Sequence, residues 1–192
     1  MLPTRKDHLA ICHAIPGQTW PVETAWLYDH LAKSRVHAEV GVYCGRSLWA
    51  TVGGMRPGTT VYAIDNGEFR DDPLHHPDRH WGRSVYSATL QAIQARKNGV
   101  TVIPIQNDSV RAAQDLARTG TRLDSVFLDG CHSYPKVLAD IECFRPLIRP
   151  GGILAGHDYS PTWPGVMDAV NETFGQEFSV PVGRIWCHVV PE

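Results

Sequence analysis

Short β-branched and aromatic runs recur along this chain at intervals long enough for a helix, and that alternation restricts its fold more than any other feature. The runs fall at residues 36–42, 60–64, 100–105, 125–128 and 153–155. Strands joined by helical crossovers pair in parallel, so the pattern predicts an α/β chain with one mostly parallel sheet and helices on both faces. Two further runs, 178–181 and 184–190, have only Val182 and Gly183 between them. A gap that short excludes a crossover and predicts a C-terminal antiparallel hairpin, completing seven strands.

The clearest helical pattern covers 134–148, where Val137, Leu138, Ile141, Phe144 and Leu147 or Ile148 share one face. Ser133 is placed to cap it, Pro135 is tolerated in the first turn, and Arg149-Pro150-Gly151-Gly152 stops it. Pro146 is expected to distort its last turn. Further helices are predicted at 22–32, 46–52, 83–97, 109–118 and 165–174. With 192 residues, the chain suits a single domain over 1–192, with a helical segment at 1–35 and a polar insertion at 66–82. A separate substrate domain does not fit this length.

A formal net charge of −2 argues against nucleic acid as a partner, because phosphate binders present a strongly basic face. The N-terminal stretch MLPTRKDHLAICHAIPG lacks the continuous apolar segment of a signal peptide, and no run approaches the length of a membrane span. Both point to a cytoplasmic chain. The five cysteines form no C-x-x-C pair and read as free thiols.

Chemistry-bearing residues gather where each strand ends. The first strand runs into Glu39-Val40-Gly41-Val42-Tyr43-Cys44-Gly45-Arg46-Ser47. There the glycines permit a sharp turn, and the next helix offers free N–H groups to a carboxylate or phosphate. A strand-to-helix turn without a ligand reads the same way, and G-x-x-x-G departs from the dinucleotide spacing G-x-G-x-x-G. Asp65 ends the second strand, about 24 residues past Gly41, where an acid can accept from both hydroxyls of a ribose or simply cap a turn. Asp108 and Ser109 follow the third strand, suited either to an adenine amino group or to capping the next helix. The fourth and fifth strands end in Asp129-Gly130-Cys131-His132 and Gly156-His157-Asp158. Ligands of open parallel sheets bind outside the carboxyl ends of the strands, so these clusters address one crevice. There Asp129, His157 and Asp158 offer two carboxylates and an imidazole to a divalent cation, and His132 offers a base.

These residues resemble the class I S-adenosylmethionine-dependent methyltransferases, with a Rossmann-like fold. The likeness spans 39–174. Its most specific part is Phe127-Leu128-Asp129-Gly130 through His132-Ser133-Tyr134, then Arg149-Pro150-Gly151-Gly152, Gly156-His157-Asp158-Tyr159, Pro164-Gly165-Val166 and Ala169-Val170. That set is similar to the small branch of metal-dependent sugar and natural-product O-methyltransferases. The resemblance implies that Glu39, Gly41, Gly45 and Ser47 surround the methionine part of S-adenosylmethionine, that Asp65 takes the ribose, and that Asp108 and Ser109 lie near the adenine. It places Asp129 beside cofactor and metal. In metal-dependent relatives, Mg2+ is held by an aspartate at the position of Asp129 and an adjacent acidic pair at those of His157 and Asp158. This chain has histidine for the first of that pair, a poorer Mg2+ ligand than a carboxylate. It also has Cys131 where many relatives have aspartate, which leaves His132 as the base and Asp129 as its catalytic companion.

The implied activity is O-methylation of a small hydroxylated acceptor, such as a sugar or a secondary metabolite, with Mg2+ or another divalent cation as a second cofactor. A methyltransferase-like chain that binds S-adenosylmethionine or a nucleotide without catalysing transfer is the alternative. The 66–82 insertion, NGEFRDDPLHHPDRHWG, reads as a lid over the ligand end of the sheet. Its His75, His76 and His80 also fit a zinc site, and Arg70, Arg79 and Arg83 an acidic substrate. Trp20, Trp26 and Tyr28 suit a core, a substrate wall or a contact in a homo-oligomer.

Overall fold

The computed structural model describes residues 3–67, 79–95 and 98–192. Among these the chain runs α1 (Arg5–Ala14), α2 (Pro21–His30), β1 (Val36–Val40), α3 (Arg46–Gly54), β2 (Thr60–Asp65), α4 (Arg79–Ala95) and β3 (Thr101–Gln106). It continues through α5 (Ser109–Arg118), β4 (Leu123–Leu128), α6 (Tyr134–Phe144), β5 (Ile148–Gly156), α7 (Pro164–Phe174), β6 (Ser179–Val182) and β7 (Ile185–Val189). The strands form one seven-stranded sheet in the order β3-β2-β1-β4-β5-β7-β6. Pairing is parallel from β3 to β5, while β7 runs antiparallel to both β5 and β6. The predicted hairpin is present, its turn shifted by one residue to Gly183 and Arg184.

Alternate side chains of each strand supply two cores, as a sheet covered on both faces requires. Val126, Leu128 and Leu154 pack with Ile141 and Phe144 of α6 and Val166 and Val170 of α7 on one face. Phe127 and Ala155 face the other way, against Leu48 and Val52 of α3, Leu90 and Ile93 of α4, and Leu27 of α2.

Element boundaries moved for local reasons. Helix α6 stops at Phe144 and passes into a 3-10 turn over Arg145–Leu147, because Pro146 cannot donate to the helical ladder. Strand β5 starts at Ile148 and runs through Arg149-Pro150-Gly151-Gly152 rather than after it. Helix α1, which the sequence reading gives no bounds of its own within the helical segment 1–35, is capped by Thr4 Oγ1, which accepts from Asp7 N. Ser133 occupies the N-cap of α6, but its Oγ lies 3.3 Å from Cys131 Sγ instead of capping the helix.

Most of the 66–82 insertion, including Arg70, His75 and His76, lies outside the described residues, and so do the side chains of Arg79, His80, Trp81 and Arg83. The backbone of 79–82 already belongs to α4. No helix among the described residues is long and apolar enough to cross a membrane.

Candidate active site

Strand β1 has β2 on one side and β4 on the other, so the strand order reverses there and the carboxyl ends of β1 and β4 flank a crevice. The two ends meet closely. Asp129 N donates to Val40 O at 2.8 Å, and Gly41 N donates to Ile64 O at 2.9 Å. Gly41 has φ +81°, and a Cβ there would stand 2.1 Å from the Asp129 carbonyl oxygen. Only glycine satisfies both the left-handed turn and that approach.

Glu39 is fully buried near the end of β1 and accepts from Ser47 Oγ at 2.8 Å through Oε1. Its Oε2 has no hydrogen-bond partner. Burial, against the Ser47 bond, pushes its carboxyl up to about 8, so an approaching cation would find a buried acid ready to ionise. Gly45 follows at φ +89° as the N-cap of α3. Asp65 accepts from Tyr43 N at 2.9 Å and Gly67 N at 2.8 Å, one bond to each oxygen, which aims its carboxylate across the mouth of the β1 loop.

Asp108 and Ser109 point elsewhere. Asp108 caps α5 by accepting from Val110 N and Arg111 N and pairs with Lys136 Nζ at 3.2 Å. Ser109 Oγ donates to Asp140 Oδ1 at 2.5 Å. Both residues therefore tie α5 to α6. Asp140, which no sequence pattern singled out, is only 4% exposed, and burial pushes its carboxyl up to about 6 despite the Ser109 bond. A folded-state value raised above the unfolded one makes the ionised group unfavourable, so this residue removes stability as pH rises from about 4 through 6. Asp140→Asn retains an acceptor for Ser109 without the charge. It is expected to stabilise the fold by roughly 2 kcal/mol at pH 8 and by almost nothing at pH 4; urea unfolding at both pH values checks this, and equal stability at pH 8 would remove the burial cost.

The densest cluster of charge lies at the ends of β4 and β5. His157 is 3% exposed. Its Nε2 lies 3.1 Å from Glu23 Oε2 of α2, and its Nδ1 lies 3.3 Å from Asp158 Oδ1 and 3.6 Å from Asp129 Oδ1. Burial alone would favour the neutral ring, but the Asp129 charge and the bonds to Asp129, Asp158 and Glu23 outweigh it and push His157 up to about 12. Carboxylate oxygens face both ring nitrogens, the arrangement that favours an imidazolium. Asp158, at φ +61°, also meets Arg184 Nη1 at 2.9 Å through Oδ1 and His132 Nε2 at 2.9 Å through Oδ2. Its burial opposes ionisation, yet the bonds from His132 and His157 hold its carboxyl far below the usual range. The His132 ring packs on Trp163, centroids 4.1 Å apart. Gly165 lets the start of α7 approach this loop, since a Cβ there would stand 2.7 Å from His132 O and 2.5 Å from Tyr134 N.

The ligand atoms that come together belong to Asp129, His132 and Asp158, within 4.8 Å of one another. His157 does not join them, for a doubly protonated ring has no lone pair for an ion. An ion on these three atoms would compete with the cations already paired to them. Asp158 already answers Arg184, His132 and His157, and Asp129 faces the same imidazolium, whereas hard dications select carboxylates free of competing cations.

All these residues except Glu23, Trp163, Gly165 and Arg184 lie within 38–159, the stretch matched by the family model for a methyltransferase domain. The chain belongs to that family. Solved structures similar to this methyltransferase domain include the calicheamicin methyltransferase CalS11, at 20% identity and TM-score 0.62 over 88% of this chain and 77% of that one. An O-methyltransferase from Bacillus cereus in complex with SAH matches at 15% identity and TM-score 0.66, over 98% and 93% of the two chains. Cofactor-bound Rv0187 from MTB matches at 18% identity and TM-score 0.63, over 97% and 89%. At such identities they establish the Rossmann-like fold. No curated protein matches the chain significantly.

Glu23, Arg184 and Trp163 escaped the sequence reading of this methyltransferase domain. The spacing Trp20-Pro21-Val22-Glu23 carries only the glutamate half of a capping box, with Trp20 N donating to Glu23 Oε2 at 2.6 Å. Nothing local announces the partner 134 positions away. Trp20 itself is half exposed, with the Arg184 guanidinium 5.0 Å from its ring centre.

Proposed function

We propose that the chain is an S-adenosylmethionine-dependent O-methyltransferase for a small hydroxylated acceptor, with His132 as the base. The observation that carries this reading is the position of His132, paired with Asp158, in the loop after β4 whose Asp129 and Gly130 lie against Gly41 in a methyltransferase-family domain. S-Adenosylmethionine suits the site because Glu39 Oε2 is a buried acceptor with no partner, matched to the ammonium of an amino acid. Glu39, Gly41, Gly45, Ser47 and Asp65 would hold it, with Asp129 at the floor of the crevice. Asp108 and Ser109 would border the adenine end.

When bound, the cofactor supplies an activated methyl on a sulfonium. The chain's own work is to align a hydroxyl and take its proton. Asp158 against Nε2 keeps a hydrogen on that nitrogen and leaves Nδ1 of His132 to accept one, while Trp163 fixes the ring plane. Asp129, 20% exposed beside His157, is the carboxylate that can accept a hydrogen bond from the acceptor.

Thermal-shift measurements with S-adenosylmethionine, S-adenosylhomocysteine and NAD test the cofactor, since a ligand that binds only the folded state raises apparent stability. Stabilisation by NAD alone would sink the reading. Asp65→Ala is expected to weaken S-adenosylmethionine binding about tenfold or more, the usual cost of losing a charged hydrogen-bond acceptor, with Asp65→Asn falling between. Calorimetry finding equal affinities would remove the ribose role.

A further inference from the structure

We propose that His157, clamped between Glu23 on one ring nitrogen and the Asp129–Asp158 pair on the other, is a built-in cation that replaces a divalent ion, so that this chain transfers methyl groups without metal. The inference rests on the methyltransferase reading and deepens it. Its argument begins with charge. Three carboxylates, those of Glu23, Asp129 and Asp158, converge on one ring that is itself out of solvent. Carboxylates so placed repel one another unless a cation lies among them. In a metal centre that cation is the ion; here His157 and, at the same oxygen of Asp158, Arg184 supply it from the chain.

The geometry agrees with the charge. Each His157 nitrogen faces carboxylate oxygen at 3.1–3.6 Å, so the ring spends both N–H groups on acids and neither nitrogen can ligate. Glu23 reaches this point from α2 and is fully buried, with Oε1 accepting from Arg184 N at 2.8 Å. Its Oε2, which also accepts from Trp20 N, faces His157 Nε2 and adds a third carboxylate to the ring. His157 is thus a positioning residue. It fixes Asp129 at the crevice floor and Asp158 against His132, the two tasks an ion bridging those carboxylates would perform.

The test is a Mn2+ titration of the wild-type and His157→Asp proteins, each with and without S-adenosylhomocysteine, read by electron paramagnetic resonance and thermal unfolding. Wild-type protein is expected to leave the ion free, whereas His157→Asp, which exchanges the cation for a further carboxylate, should bind it about tenfold or more tightly and gain melting temperature with it. Wild-type protein that immobilises one Mn2+ per chain, and loses it in Asp129→Asn, would overturn the proposal. A folded His157→Asp protein that binds Mn2+ no better than wild type would also overturn it. Should that variant not fold, the wild-type titration still decides. Calorimetry of S-adenosylmethionine on the same wild-type samples reports separately on the methyltransferase reading, whose failure would leave the Mn2+ result intact.

Discussion

Replacing His132 with alanine is expected to lower methyl transfer by about 10²–10⁴-fold, the usual contribution of a positioned base, while S-adenosylmethionine affinity stays essentially unchanged. The two effects separate because of where the residue stands. His132 lies in the loop after β4, its ring on Trp163 and its Nε2 against Asp158, while the groups assigned to the cofactor sit on the β1 and β2 loops. Truncation leaves Asp158 still paired to Arg184 and His157, so the site keeps its charge balance and the fold its stability. The measurement is S-adenosylhomocysteine release with an acceptor that supports wild-type turnover, beside calorimetry of cofactor binding. Turnover near the wild-type rate would show that another group takes the proton, and loss of cofactor affinity would show that the His132 loop belongs to the cofactor site.

The proposed base was legible from sequence because it follows a strand. Residues just past the carboxyl ends of parallel strands border the crevice, and that rule gathers Gly41, Asp65, Asp129, His132 and Asp158 from the sequence alone. At Asp108 and Ser109 the rule gives the position and not the side-chain partners. They do follow a strand, but local competition for the free N–H groups of α5 and a bond to Asp140 claim their side chains. His157 shows the deeper limit. Adjacent to Asp158 and close to Asp129, it reads as a ligand, since nothing within the motif says whether its ring is neutral. What decides that is Glu23, delivered by a helix at the opposite end of the chain. Long-range charge pairing leaves no periodic trace, so the sequence shows where the cluster forms without showing its sign.

Glu23→Ala is expected to cost about 3–5 kcal/mol of folding stability, the range found when one partner of a buried ion pair is deleted. The residue serves three donors at once: Trp20 N at 2.6 Å, Arg184 N at 2.8 Å and His157 Nε2 at 3.1 Å. Its removal orphans two backbone N–H groups and leaves the imidazolium facing a void. The pH dependence follows from the directions of two shifts. Burial opposes ionisation of Glu23, but the bonds from His157, Trp20 and Arg184 more than offset it and lower its carboxyl, so its contribution is present above the ordinary glutamate value and lost in acid. His157 is raised to about 12, so its contribution is complete below about 6.5 and drains away as pH climbs toward 12. The two windows overlap between about pH 5 and 6.5, where wild type and variant should differ most. Urea unfolding across pH 4 to 9 measures the difference, and Glu23→Gln, which keeps the shape and one acceptor oxygen, should recover part of the loss at every pH. A difference that stayed flat above about pH 6.5 would mean that Glu23 acts through its backbone bonds alone, and that the imidazolium does not need it.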